Sequence, residues 1–134
     1  MTLTVYTARY DYRGADRFDI TIRGAREARK RGQVLPGEVF APPVWLWSYA
    51  KMYTHTLPEG IDYPPDGADI FEWYAKHYRA AMKRCYRVHR PAWDALLARE
   101  EVTLVCFCAS PAVCHRGLLA GYFGACGAIL GGER

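Results

Sequence analysis

Leu3-Thr4-Val5-Tyr6-Thr7 alternates β-prone side chains with period two and predicts a strand, and Phe18-Asp19-Ile20-Thr21-Ile22 predicts a second after a polar turn at Arg13-Gly14. From residue 23 to 68, Pro36, Gly37, Pro42, Pro43, Pro58, Pro64 and Pro65 interrupt any long element, so loops are expected with at most one short helix around Val44 to Tyr53. A clear helical period follows. Asp69 fits an N-cap with Glu72 three residues on, and Ile70, Phe71, Tyr74, Tyr78, Ala81, Met82 and Cys85 recur at helical spacing to about Tyr86. Pro91 suits the first position of another helix carrying Trp93, Leu96 and Leu97 and ending near Arg99. The apolar run Val102 to Cys108 has the character of a central strand buried on both faces. After a turn at Ala109-Ser110-Pro111, Leu118, Leu119, Tyr122 and Phe123 make a helical face that Gly124 can end, and Ala128-Ile129-Leu130 can return as a last strand.

These elements predict an α/β fold, a small single domain over residues 1–134 with a mostly parallel or mixed sheet flanked by helices in Rossmann-like fashion. About half the residues are apolar and a quarter charged, enough to fold on a core without staples. No apolar stretch approaches the ~20 residues of a membrane span and the N-terminus lacks a signal-peptide pattern, so a cytoplasmic protein without a membrane partner is expected. The five cysteines are odd in number and three crowd between 106 and 114, which argues for reduced thiols over a disulfide framework.

Net charge is +4, and its distribution says more than its size. Lys76 to Arg90 holds six Lys or Arg, two His and no acid, while Arg23 to Arg31 holds five bases and one acid. The first run is expected on the outer face of a helix, where a solvated surface is the plain reading. Lys83, Arg84 and Arg87 are the residues that would bind nucleic acid, with Trp73, Tyr74, Tyr78 and Tyr86 nearby as stacking candidates. His55, His77 and His89 are read as surface residues.

Ligands of open α/β sheets gather beyond the carboxyl ends of strands, where the next helix presents unpaired N–H groups. Here that place holds Cys114-His115-Arg116. A helix start favours anions and activates a thiol, and a guanidinium offers a planar fork to phosphate or carboxylate. The expected roles are anion binding by Ser110, Cys114 and Arg116, acid–base chemistry by His115, nucleophile or positioning by Cys114, and orientation of His115 or Arg116 by Asp19. The expected ligand is a phosphorylated small molecule or nucleotide.

Glu101-Val102-Thr103-Leu104-Val105-Cys106-Phe107-Cys108 with Cys114-His115-Arg116-Gly117-Leu118-Leu119-Ala120 resembles the C-terminal signature of domain of unknown function family 488 and its phage-borne relatives. The likeness is strong over about residues 91 to 123. It implies a small α/β domain of phage-type ancestry whose site includes Cys106, Cys114, His115 and Arg116. Asp19 lies where the family often carries an acid, and Phe40-Ala41-Pro42 is similar to a segment of phage-type members. Many members carry another residue, often acidic, in place of Cys108.

Strand alternation would send Cys106 and Cys108 to one face, where they could hold zinc together with Cys114 and His115. Packing as small buried hydrophobes is the preferred reading, so neither metal nor cofactor is predicted.

Overall fold

The computed structural model describes residues 2–52, 56–108, 110 and 114–134, with Met52 in its backbone only. The first strand, β1 (Thr4–Arg9), and the short β2 (Arg17–Asp19) lead into α1 (Ile22–Lys30), a 3₁₀ turn at Pro36–Phe40 and α2 (Val44–Met52). Then come α3 (Ile70–Val88), α4 (Arg90–Leu97), β3 (Glu101–Cys106), α5 (His115–Ala125) and β4 (Ile129–Glu133). The sheet has the order β2-β3-β1-β4 and every neighbouring pair is parallel, which makes this an α/β fold. No helix among the described residues is long and apolar enough to cross a membrane.

β3 sits inside the sheet as its unbroken apolar run predicts, with Val102 to Cys106 all buried. Val5 is opposite Val102 and Phe18 opposite Leu104, so these side chains share a face. On that face they join Phe40, Tyr78, Met82, Trp93, Leu96, Leu119 and Phe123 in one core. Two polar atoms enter it with partners: Tyr78 donates its hydroxyl to the Phe40 carbonyl at 2.7 Å, and the Trp93 indole N–H reaches Cys85 Sγ at 3.3 Å. Asp69 caps α3 by accepting from the Phe71 N–H, as its position predicts.

Residues 23–68 hold more helix than the prolines suggest. Thr21 caps α1 by accepting from the Gly24 N–H, and the buried stripe of α1 is Gly24, Ala25 and Ala28. Such small residues leave almost no hydrophobic period to read. β2 is correspondingly shorter than expected, because Ile20 and Thr21 already turn toward α1.

Two strand ends differ as well. β3 stops at Cys106, so the alternation expected to align Cys106 with Cys108 does not continue. β4 runs past Leu130 through Gly131-Gly132, where the register to β1 slips by one residue and Gly132 takes a φ of 95°. A Cβ on Gly131 would collide with the Tyr6 ring. This glycine bulge carries the strand on to Glu133. Of the turn expected at Ala109-Ser110-Pro111 only the half-buried Ser110 is among the described residues, and His55 also lies outside them.

Candidate functional site

Because all strands run the same way, their carboxyl ends open on one side of the sheet. A cleft of about 980 Å³ lies there, beyond β2 and β3. Its floor includes Cys106, Cys114 and His115, and the first turns of α1 (Thr21, Ile22, Arg23) and α3 (Asp69, Ile70, Phe71) border it. Helix starts turned toward one space carry the positive ends of their dipoles to it.

His115 is buried at the start of α5. Its Nε2 lies 2.8 Å from the Ile20 carbonyl, which fixes Nε2–H as a donor and leaves Nδ1 as the free lone pair, 3.6 Å from Cys114 Sγ. Burial pushes its pKa down to about 4, the Ile20 carbonyl and Asp19 oppose this, and the charges of Arg116 and Lys51 add to it. At neutral pH the ring is therefore an uncharged acceptor. Cys106 and Cys114, both almost fully buried, are joined as a disulfide, where the cysteine count had suggested free thiols.

Arg116 was expected to face open space and hold an anion. Instead it is 0% exposed. Its Nη2 meets Glu133 Oε2 at 2.6 Å, its Nε reaches Oε1 at 3.3 Å, and Nη1 donates to the Cys108 carbonyl at 2.7 Å and to Cys106 Sγ at 3.0 Å. Thr7 also donates to the Glu133 carboxylate. Burial alone would raise the pKa of Glu133, but these bonds and the Arg116 charge outweigh it and hold the pKa below the usual range. Glu133 was not anticipated, because its approach depends on the bulge at Gly131-Gly132.

Asp19 orients neither His115 nor Arg116. Its Oδ1 accepts from the Thr21 N–H and hydroxyl, and its Oδ2 accepts from Tyr10, so the carboxylate organises the turn between β2 and α1. A Cβ on Gly24 would collide with it, which explains glycine in the first turn of that helix.

Cys108 leaves the sulfur pair. Lys51 Nζ lies 3.7 Å from its Sγ at the cleft wall. Lys83, Arg84 and Arg87 are exposed on α3, but the aromatics expected to serve them do not face outward: Trp73, Tyr74 and Tyr78 are buried, and Tyr86 packs between Arg90 and Trp93. His77 is also no plain surface residue. It is half-buried with its ring edge-on to Trp45 and Trp73.

The basic run that does meet the cleft is the other one. Arg23, Arg26 and Lys30 of α1 line it with Lys51, against Glu27 and Asp69. Lys30 pairs with Glu27 at 3.2 Å, whereas no carboxylate engages Arg23 or Arg26 among the described residues. The Arg23 guanidinium lies 5.5 Å from the centre of the Phe107 ring, which itself stacks on Tyr10 at 3.9 Å. Trp47, Phe71 and Tyr74 complete the aromatic lining.

The profile of the family described as "Active DUF488-N3 subclade" matches residues 61–125, from the approach to α3 to the end of α5. Over those residues the chain is similar to the DUF488 family. The matched stretch holds α3, α4, β3 and the Cys114-His115-Arg116 start of α5, while the bases of α1 lie before it. No curated protein and no solved structure matches the chain.

Proposed function

We propose that this protein binds a nucleotide, or a similar phosphorylated compound with a flat ring, in the cleft beyond β2 and β3. The observation that carries the reading is the pairing of two kinds of lining: Arg23, Arg26 and Lys51 offer charge to a phosphate, and Trp47, Phe71 and Phe107 offer apolar rings to a base. Guanidinium groups bind phosphate through paired N–H donors, and aromatic faces hold bases by stacking whatever the base. The cleft volume also falls within the range of small-molecule sites.

In this reading the anion-binding role passes from Arg116 to the α1 arginines, and His115 contributes a neutral acceptor at the floor. Arg116 positions the start of α5 from behind.

The test is titration of the protein with nucleoside monophosphates, the parent nucleosides and inorganic phosphate, followed by calorimetry and by Trp47 fluorescence. Nucleotides are expected to bind more tightly than either component, with affinity falling as salt rises. Absence of binding by any of the three at low ionic strength would overturn the proposal.

A further inference from the structure

Cys106 Sγ, Cys114 Sγ and a ring nitrogen of His115 lie within 4.8 Å of one another, and all three residues are buried. We propose that, once the sulfur pair is reduced, these three residues bind a zinc-type divalent ion with its fourth position open to the cleft. This goes beyond the nucleotide reading and does not depend on it.

The argument starts with charge. Two buried thiolates side by side repel one another and lack water, so a reduced pair needs a cation or protons to persist. Arg116 touches Cys106 Sγ, but its charge is balanced by Glu133. A divalent ion would neutralise both sulfurs at once.

Geometry supports the same assignment. In a tetrahedral site with Zn–S of ~2.3 Å and Zn–N of ~2.0 Å, a sulfur and a nitrogen stand about 3.5 Å apart. Cys114 Sγ and His115 Nδ1 stand at 3.6 Å. The other ring nitrogen donates to the Ile20 carbonyl, the kind of outer contact that fixes a metal-binding imidazole with its lone pair toward the ion. The Cα atoms of Cys106 and Cys114 are 7.6 Å apart, which leaves backbone room for the sulfurs to separate around an ion. Cys108, the fourth residue of the zinc alternative raised by the sequence, is engaged by Lys51, so the described residues supply three donors. All three line the cleft, and three protein ligands with an open place is the arrangement of reactive zinc sites rather than closed structural ones.

The sulfur chemistry balances simply. A dithiol reductant transfers two electrons and two protons to the disulfide and becomes a disulfide itself. The ion then displaces the two thiol protons to solvent. A disulfide oxidant reverses both steps: two protons return to the sulfurs as the ion leaves, and the oxidant takes up two electrons and two protons to become a dithiol while the Cys106–Cys114 bond re-forms.

Cobalt(II) serves as the probe, added to protein reduced with a phosphine and shown by thiol titration to carry all five thiols. One equivalent is expected to bind, giving the intense visible bands of tetrahedral cobalt with thiolate charge-transfer bands, and zinc should displace it. The oxidised wild-type protein, the folded control, should bind none. Cys106→Ser, Cys114→Ser and His115→Ala are each expected to weaken binding by about 100-fold or more, while Cys108→Ser and Cys126→Ser leave it unchanged. Failure of the fully reduced protein to bind cobalt or zinc would overturn the site, as would equal binding by the oxidised form or loss of binding in Cys108→Ser. Nucleotide titration of the metal-free protein reports separately on the cleft.

Discussion

Arg116 and the arginines of α1 are alike as residues and opposite in use. Arg116 lies behind the cleft with no exposure, and its guanidinium joins β4, the end of β3 and the start of α5 through Glu133, the Cys108 carbonyl and Cys106. Arg23 and Arg26 stand on the exposed rim with no carboxylate engaged among the described residues. The difference teaches that a cation's place in a motif says less about ligand binding than whether its charge is already matched inside the protein. A buried and paired guanidinium holds structure; an unmatched one beside open aromatic rings is available to an anion.

The largest effect should come from breaking the pair of buried Arg116 with Glu133. Glu133→Ala strands a buried guanidinium and is expected to cost about 3–5 kcal/mol in denaturant melts. Arg116→Ala should also destabilise strongly, and Arg116→Lys should recover only part of the loss because an ammonium lacks the fork. If Arg116→Ala kept its stability and lost only nucleotide binding, the contrast between the two groups would be reversed.

Acid sharpens the same point. The pKa of Glu133 is lower folded than unfolded, so its contribution is fully present above the unfolded carboxylate value of 4.5 and is lost as pH falls through the folded value. Asp16, also lowered, acts in the same direction. Thermal melts across the acid range should therefore fall less steeply in Glu133→Gln than in the wild type, from a lower starting point. Equal slopes would show that the pair does not control the titration.

On the rim the pattern should invert. Arg23→Ala and Arg26→Ala are each expected to weaken nucleotide binding by about 1.5–3 kcal/mol, the range of a charge-assisted hydrogen bond, with stability changed by less than about 0.5 kcal/mol. Calorimetric titration and melting of the same samples check both halves.

The smallest effect is expected on α3. Changing Lys83, Arg84 and Arg87 together to Glu should alter nucleotide affinity by less than about twofold and leave the fold intact, since these side chains are exposed and lie outside the cleft lining. Salt-sensitive retention of single- or double-stranded nucleic acid that vanished in this triple variant, but not in the α1 variants, would transfer the anion-binding role to α3.

Much of this molecule is legible in its sequence. The apolar run of β3, the capped and periodic α3, the proline at the start of α4 and the apolar face of α5 each express a local rule, and the α/β class follows from their order. The same order pointed to the Cys114-His115 start of α5, and both residues line the cleft. Helix α1 was hidden because Gly24, Ala25 and Ala28 bury too little to leave a hydrophobic period. What only the tertiary structure decided was which side chains face each other. The glycine bulge in β4 delivers Glu133 to Arg116, the early end of β3 separates Cys108 from Cys106, and the turn from β2 into α1 brings Arg23 and Arg26 to the cleft beside Phe107. These partners are 17 residues apart in one case and more than 80 in another, and neither side-chain periodicity nor charge pattern carries information across such separations. Pairing at that range is set by register and crossover geometry, which exist only once the sheet has formed.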